Sequence, residues 1–246
     1  PEDSLSQFMM APGFKVQLVA HEPMIKDPVF VDWDDQGRMW VGELRTYMMD
    51  LDGNREGERL SRVMVLEDLD RDGVMDKATP FVEDMDNVRS LAFVDDSVLI
   101  VETGGLWLCR DKDGDLRCDE RTKLLDFATA ASDNIEHAEN ALHFTLDNWM
   151  YNSKSSRKLA WRKGRLIEMP THARGQWGMS SDAYGRLYYN HNGQWFETDW
   201  SVYDRQWPAM KDSDKAPTNR GFAIRPNTAL NPNYRPGRIL EEGRVA

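Results

Sequence analysis

The sequence predicts an all-β protein of the β-propeller class, and three observations lead to that prediction. Short stretches rich in β-branched and aromatic residues alternate with polar turns, four such pairs share one plan, and long helical periodicity is scarce. β-branched and aromatic residues favour strands, whereas Gly, Asn and Asp adopt turn geometry. Repetition of such a unit is typical of propellers, whose blades are four-stranded sheets. A β-sandwich is the alternative architecture.

Four predicted hairpins carry the repeat. Each has an apolar or alternating stretch, a polar turn containing Asp with Gly, Asn or Ser, and a second stretch rich in aromatic or β-branched residues. They cover residues 30–43, 91–103, 142–154 and 178–192. Trp40, Ile100, Tyr151 and Tyr188 hold corresponding places, with a loose period of about fifty residues that matches propeller blades.

Further elements fit between the hairpins. We expect strands at 15–20 (KVQLVA), 61–68 (SRVMVLED) and 105–110 (GLWLCR), and one helix at 122–131 (TKLLDFATAA). Four hairpins indicate about four to five blades, which are few for a closed ring. The C-terminal stretch GRILEEGRVA looks like a strand that is just beginning. We therefore expect residues 1–246 to form one propeller domain or a fragment of one, with further blades on another segment or a second chain.

Composition narrows the classes of function. The net charge is -11, which argues against nucleic-acid binding because that binding depends on Lys and Arg neutralising phosphates. The charge suits a neutral or cationic partner, or bound cations. No apolar run approaches the roughly 20 residues of a membrane span, and no basic and apolar leader precedes PEDSLSQFMM. The sequence therefore predicts a soluble chain without a transmembrane segment.

Two acidic stretches have the spacing of calcium ligands. DLDRDGVMD begins at Asp68 and DKDGDLRCD at Asp111, and both place acids at positions 1, 3, 5 and 9. Calcium takes six to eight oxygen ligands, and such acids can converge on one ion. Position 12 holds Thr79 or Thr122, where an EF-hand has a bidentate Glu, so these are not EF-hands. The alternative is a solvated acidic turn. The candidate ligands are Asp68, Asp70, Asp72, Asp76, Asp111, Asp113, Asp115 and Asp119.

The second acidic stretch differs from the first in two ways. Leu116 stands where the first stretch has Gly73, which weakens the argument for a sharp turn. Cys109 and Cys118 flank the stretch, so a disulfide would staple it and indicate an oxidising compartment. Two unpaired thiols in a reducing compartment are the alternative. The absence of CxxC and CxxCH excludes a zinc knuckle and a covalent c-type haem in this chain.

Several motifs in order resemble a known family. APGFKVQLVAHEPMIKDPVFVDWDDQGRMWVGELRTY, RVMVLEDLDRDGVMDKATPF, NIEHAENALHFTLDNWMY and RGQWGMSSDAYGRLYYNHN resemble the N-terminal propeller of the membrane-bound dehydrogenase family of Planctomycetes and Verrucomicrobia. That domain is similar to the soluble glucose and sorbosone dehydrogenases, which are six-bladed propellers that hold pyrroloquinoline quinone. The resemblance runs from about residue 11 to the C-terminus. It implies a six-bladed ring that is incomplete in this chain.

The resemblance also implies site residues. A histidine before the third hairpin is the general base in the sugar dehydrogenases, and His137 matches its position. A neutral imidazole suits that role, because its unperturbed pKa of about 6.5 lies near operating pH. A histidine that only hydrogen-bonds a strand end is the alternative. His143 is expected to be structural. The expected quinone-binding residues are Lys154, Arg157, Arg174, Gln176, Trp177 and His191.

Three functions follow as expectations. The first is an extracytoplasmic quinoprotein-type dehydrogenase that oxidises a sugar or alcohol and passes electrons to a c-type cytochrome domain or protein. The second is a propeller that binds or cleaves carbohydrate without redox chemistry. The third is a calcium-stiffened scaffold completed by a partner chain. Calcium and a disulfide both favour a periplasmic or extracellular location, with any membrane association made through partners.

Overall fold

The computed structural model describes residues 2–127, 138–191, 194–199, 239–240 and 244–245. The chain divides into two compact units, Pro1–Phe127 and Ala128–Ala246. In the described residues, the single α-helix is α1, Glu2–Leu5. No helix in these ranges has the length and apolar character that crossing a membrane requires.

The first unit contains two antiparallel sheets of four strands each. The first sheet consists of β1 (Pro28–Trp33), β2 (Met39–Glu43), β3 (Ser61–Glu67) and β4 (Lys77–Met85). The second consists of β5 (Ser90–Val94), β6 (Ser97–Glu102), β7 (Gly105–Arg110) and β8 (Glu120–Asp126). In both sheets the strands neighbour one another in chain order, as in a propeller blade.

The second unit continues the same plan. Its four-stranded sheet consists of β9 (Asn140–Phe144), β10 (Met150–Ser153), β11 (Arg157–Arg162) and β12 (Arg165–Pro170). A three-stranded sheet follows with β13 (Ser180–Ser181), β14 (Leu187–His191) and β15 (Gln194–Thr198), and a two-stranded ribbon with β16 (Ile239–Leu240) and β17 (Arg244–Val245). These sheets confirm the prediction of an all-β propeller. We call the first four sheets blades 1 to 4.

The four predicted hairpins are all present. Each pairs the first and second strands of a blade in antiparallel register, from β1 with β2 to β13 with β14. The strands expected at 61–68 and 105–110 are also confirmed, as β3 and β7. These stretches combine β-branched residues with nearby turn residues, so their local preference and their tertiary pairing agree.

Two predicted elements are wrong. Residues 15–20 form no strand. Instead Val19 and Ala20 pack against a cluster that includes Met39 and Leu66, so their apolar side chains cover the blade rather than extend it. The helix expected at 122–131 is replaced over its described part by β8, in which Thr122 pairs with Leu108. Pairing with β7 overrides a modest helix preference. Residues 128–131 lie outside the described residues.

Each unit has its own apolar core between neighbouring blades. In the first unit, Trp40 and Val65 of blade 1 pack in one cluster with Leu91 and Ile100 of blade 2. The rings of Trp40 and Phe81 meet edge-on, with centroids 4.7 Å apart. In the second unit, the core cluster contains Trp149, Tyr151, Ala160, Leu187 and Tyr189, from blades 3 and 4. Burial of these faces stabilises the sheets against each other, at about 25 cal/mol per Å² of apolar surface.

One aspartate organises the hairpin turn of blade 1. Asp34 Oδ1 accepts hydrogen bonds from the backbone N–H groups of Gln36 and Arg38, both at 3.0 Å. Its Oδ2 accepts from Arg38 Nε at 2.6 Å and from the indole Nε1 of Trp40 at 3.0 Å. The side chain thereby fixes the turn and the orientation of the core tryptophan on β2.

The same arrangement recurs in the second unit. Asp182 accepts from Arg186 Nε at 2.7 Å and from the Tyr188 hydroxyl at 3.1 Å. Asp147 accepts from the Tyr151 hydroxyl at 2.8 Å. In these three blades, an aspartate in the turn therefore holds the aromatic residue of the second strand. We refer to Asp34, Asp147 and Asp182 as the turn aspartates.

Replacing the first turn aspartate should be costly. Asp34→Ala leaves two turn N–H groups and the indole N–H of Trp40 without their acceptor, and we expect a loss of about 2 to 4 kcal/mol in the free energy of unfolding. Urea unfolding at pH 7 measures it. The matched control is the exposed neighbour, Asp35→Ala, for which we expect a change within about 0.5 kcal/mol. Equal losses in the two variants would contradict the assignment.

The contribution of Asp34 should also depend on pH. Burial acts to raise the pKa of Asp34, but hydrogen bonds from Trp40 and Arg38 outweigh burial and leave the pKa lowered. A lowered folded-state pKa gives stability that is present above the unfolded value of about 3.9 and is lost as pH falls through the folded value. The difference between wild type and Asp34→Ala should therefore shrink below about pH 4.

Candidate calcium loops and polar strand ends

The first acidic loop joins β3 to β4 and is folded around its own carboxylates. Asp68 accepts from the backbone N–H groups of Arg71 at 2.7 Å and Gly73 at 2.9 Å. Gly73 has a φ of 89°, a left-handed conformation that glycine adopts readily. Oxygens of Asp68, Asp70 and Asp76 all lie within 4.8 Å of one another. Three of the four predicted ligands therefore converge.

The second acidic loop joins β7 to β8 at the equivalent place in blade 2. Asp111 accepts from the backbone N–H groups of Gly114 at 2.7 Å and Leu116 at 2.8 Å. Leu116 itself has a φ of 66°, so the turn forms without glycine at that position. The leucine side chain packs against the core cluster of the first unit. Oxygens of Asp111, Asp113 and Asp115 lie within 4.8 Å of one another.

The remaining predicted ligand of each loop has another partner. Asp72 accepts from the backbone N–H of Val74 at 2.7 Å. Asp119 accepts from the backbone N–H of Lys112 at 2.7 Å. Asp72 and Asp119 therefore lie outside the clusters of three. They support the loop backbone, as the cluster member Asp76 also does by accepting from the Leu69 N–H at 2.7 Å.

Cys109 and Cys118 are neighbouring free thiols, so the disulfide is not confirmed. Cys109 is buried on β7, and the half-buried Cys118 precedes β8. Their side chains are hydrogen-bonded to each other, which lowers the pKa of Cys118 to about 7 and, together with burial, raises that of Cys109. Cys118 is therefore the more reactive thiol, because the thiolate is the nucleophile.

Alkylation should distinguish the two thiols. With reduced folded protein we expect iodoacetamide to modify Cys118, with a rate that is half-maximal near pH 7, and to leave Cys109 unmodified. Peptide mass spectrometry after a short pulse measures this, and protein in urea, where both thiols react, is the control. Modification of Cys109 first would contradict the assignment. In protein that has not been reduced, protection of both thiols until reductant is added would show a disulfide.

In the second unit, Arg174 lies at the centre of a buried polar network. Its Nε donates to Asp199 Oδ2 at 2.9 Å and its Nη1 donates to Thr171 Oγ1 at 2.8 Å. The guanidinium carbon lies 5.1 Å from the centroid of the Tyr151 ring. Asp199 also accepts from the Tyr189 hydroxyl at 3.1 Å. Burial and the Asp199 charge raise the pKa of Tyr189, so this hydroxyl stays protonated.

The segment around Arg174 crosses the end of β10. The backbone N–H of Lys154 donates to the Arg174 carbonyl at 3.1 Å. Asn140 Nδ2 donates to the Gln176 carbonyl at 2.8 Å. Trp177 follows with 36% of its surface exposed. The structure therefore places the Lys154 backbone against Arg174, while Gln176 and Trp177 follow Arg174 along the chain.

Of the other predicted site residues, Arg157 has its own acidic partners. Arg157 pairs with Glu168 at 2.7 Å and with Glu139 at 3.3 Å. His191 is the last residue of β14. His137 and the side chain of His191 lie outside the described residues. The roles of these residues stay predictions.

Sequence reasoning missed two buried carboxylates at strand ends. Glu43 ends β2 and accepts from Arg62 Nε at 2.5 Å. Glu102 ends β6, accepts from the backbone N–H of Asp86 at 2.9 Å and pairs with Arg121 at 3.0 Å. Burial and the neighbouring Glu102 raise the pKa of Asp86. The available signal was an acid ending an apolar strand, in MWVGE and SVLIVE.

The blades and acidic loops define a β-propeller domain with candidate cation sites at two outer-strand connections. A family model described as a domain of unknown function, DUF7133, matches residues 1–236. The chain therefore belongs to the DUF7133 family. No curated protein matches it.

Solved structures give more distant likenesses. A gluconolactonase from Xanthomonas campestris has 13% identity and a TM-score of 0.46, over 71% of this chain and 57% of that chain. A luciferin-regenerating enzyme has 12% identity and a TM-score of 0.45, over 67% and 53%. The PQQ domain of pyranose dehydrogenase from Coprinopsis cinerea has 11% identity and a TM-score of 0.43, over 75% and 51%. The chain spans slightly more than half the length of these proteins.

Proposed function

We propose that this chain is a calcium-binding propeller domain of an extracytoplasmic protein that acts on a sugar or alcohol. The observation that carries the calcium assignment is the convergence of three carboxylates in the same connection of two consecutive blades. The converging acids stand at loop positions 1, 3 and 9 in the first blade and 1, 3 and 5 in the second. The assignment of a sugar or alcohol substrate rests on the resemblance to the dehydrogenase family. The assignment of an extracytoplasmic location rests also on the abundance of calcium outside the cytoplasm.

Electrostatics favours a cation at each cluster. Three carboxylates whose oxygens lie within 4.8 Å of one another repel when all are ionised. A calcium ion removes that repulsion and takes six to eight oxygens, so backbone carbonyls or water must supply the remaining ligands. The ion would fix the connection to β4 or β8, the last strand of the blade. Its binding would stabilise the folded state by mass action.

Titration calorimetry of calcium binding tests this proposal. We expect wild-type protein freed of metal to bind two calcium ions, Asp70→Ala to bind one, and Asp70→Ala with Asp113→Ala to bind none, because each substitution removes one carboxylate from one cluster. Calcium should raise the melting temperature most in wild type, less in Asp70→Ala and not at all in the double variant. If Asp70→Ala lowered the melting temperature as much in excess chelator as in calcium, the site would be discredited.

The matched control is Asp52→Ala. Asp52 is an exposed acid in a different loop, so this variant should keep both ions and the full thermal shift. A stoichiometry that stays at two in Asp70→Ala, or no binding heat at millimolar calcium, would overturn the calcium assignment.

Pyrroloquinoline quinone, which the resemblance implies, is a planar tricarboxylate. Cationic donors are needed for such a group. The guanidinium groups of Arg157 and Arg174 already pair with Glu139, Glu168 and Asp199, so a quinone would compete with internal carboxylates. Both predicted arginines are therefore engaged within the protein, and this does not fit the cationic donor set that the quinone needs.

A dehydrogenase is the second candidate function, and one observation favours it. Residues 138–140, which directly follow His137, end in the buried network where Asn140 holds the Gln176 carbonyl and the Gly178 N–H. Glu139 in the same segment accepts from Asn152 at 3.2 Å. The resemblance implies that His137 removes a hydroxyl proton from a sugar or alcohol. The hydride from the carbon that bears this hydroxyl would need an acceptor outside the described residues, from which electrons would pass to a c-type cytochrome partner.

Substitution of His137 tests the dehydrogenase candidate. In the full-length protein we expect His137→Ala to lower dye-linked sugar or alcohol oxidation by at least about 100-fold, the size of a general-base contribution. His143→Ala is the control, since His143 contacts Ser181 at 3.0 Å on the exposed side of β9. An unchanged rate in His137→Ala would remove that residue from the mechanism. Calcium binding should be the same in both variants.

A further inference from the structure

A cavity of about 580 Å³ opens between the two blades of the first unit. Its walls are the β1–β2 turn, the β5–β6 turn and the start of the β7–β8 loop. Trp40, Phe81 and Phe93 line its interior. The volume lies within the range of about 300 to 1,000 Å³ that is usual for small-molecule sites. The cavity is separate from the polar network of the second unit.

The lining of this cavity is strongly acidic. Five carboxylates contribute to it, from Asp34, Asp35, Asp95, Asp96 and Asp111. Among the described residues that line the cavity, the cation is Arg38, which is paired with Asp34 at 2.6 Å. The neighbouring cations Arg110 and Lys112 pair with Glu120, at 3.6 Å and 2.9 Å. The potential in the cavity is therefore negative, and an anionic ligand is excluded on electrostatic grounds.

Three aromatic rings line part of the cavity: Trp40 and Phe81 are almost fully buried behind its surface, and Phe93 is half-buried. The ring of Trp40 has its centroid 4.7 Å from that of Phe81 and 5.2 Å from that of Phe93. Asp34 accepts hydrogen bonds from the Trp40 indole and from Arg38 Nε, so the turn holds Trp40 in place. Aromatic rings attract cations through their negative faces and also bury alkyl groups. An acidic rim above such a floor favours a ligand that is both cationic and partly apolar.

We propose that this cavity binds an organic ammonium ion, with the charged nitrogen among the rim aspartates and its alkyl groups against the aromatic floor. A bare metal ion would leave the aromatic floor without a function. A neutral sugar could stack on the rings. It would gain little from a lining in which the described carboxylates outnumber the described cations by four. The proposal is separate from the calcium assignment except at Asp111, whose charge calcium would offset; the other four lining carboxylates lie outside the acidic loops.

Choline and its neutral isostere 3,3-dimethylbutanol provide the test. With full-length protein we expect choline to bind, detected by ligand-observed NMR and calorimetry, at least about 10-fold more tightly than the isostere, because the two differ in charge but not in shape. Higher salt should weaken choline binding, since Asp35, Asp95 and Asp96 are exposed. Equal affinity of the two compounds, no binding of either, or binding of glucose in preference to choline would each overturn the proposal.

Variants locate the site. Asp35→Asn with Asp96→Asn should weaken choline binding at least about 5-fold, because two rim charges are removed without loss of the turn aspartate. Phe93→Leu should also weaken it, while keeping an apolar floor. Asp52→Asn, which removes a charge elsewhere, should leave the affinity unchanged. Binding that is unaffected by Asp35→Asn with Asp96→Asn would overturn the proposal.

The outcome is separable from that of the calcium experiment. Asp113→Ala removes a predicted calcium ligand that does not line the cavity. Choline binding should survive in this variant even when its calcium stoichiometry falls. Loss of choline binding in Asp113→Ala, in the presence of an intact fold, would contradict an independent site.

Discussion

The hydrogen bonds of the turn aspartates are the local constraint on which the blades depend. A β-hairpin exposes turn N–H groups that need acceptors. Its two strands must also pair in the correct register. Asp34 and Asp182 meet both needs, since each accepts from turn N–H groups and from an aromatic side chain of the next strand. The aromatic residue of blade 4, Tyr188, is half-buried, whereas that of blade 1, Trp40, enters the core between blades. Turn geometry and core packing are thus fixed by one carboxylate.

The acidic loops occupy a different part of the same blades. They join the third and fourth strands, whereas the turn aspartates join the first and second. In the second loop, Leu116 supplies both a left-handed turn residue and an apolar side chain for the core. Cys118 also packs against that core. The geometry of this loop is therefore coupled to blade packing. A change of charge or redox state in the loop would alter the packing of Leu116 and Cys118 against the core.

Features encoded over short distances were predictable from the sequence. The hairpins and the acid spacing depend on residues within about a dozen positions, where turn preference and strand preference agree. The helix expected at 122–131 was wrong because its residues pair with β7, a contact that local preference does not contain. Arg174 looked like a ligand donor for a similar reason: its partner Asp199 lies 25 positions away. Burial also concealed Glu43 and Glu102, whose arginine partners only folding brings close.

The network around Arg174 has a consequence for the order of events during synthesis. The arginine follows β12, contacts Tyr151 of β10, and pairs with Asp199 beyond β15. Its guanidinium is almost fully buried, and a buried charge without its partner is strongly destabilising. Chains grow from the N-terminus on the ribosome. Blade 3 therefore cannot close around Arg174 at low energy until Asp199 has emerged, so blades 3 and 4 should mature as a pair.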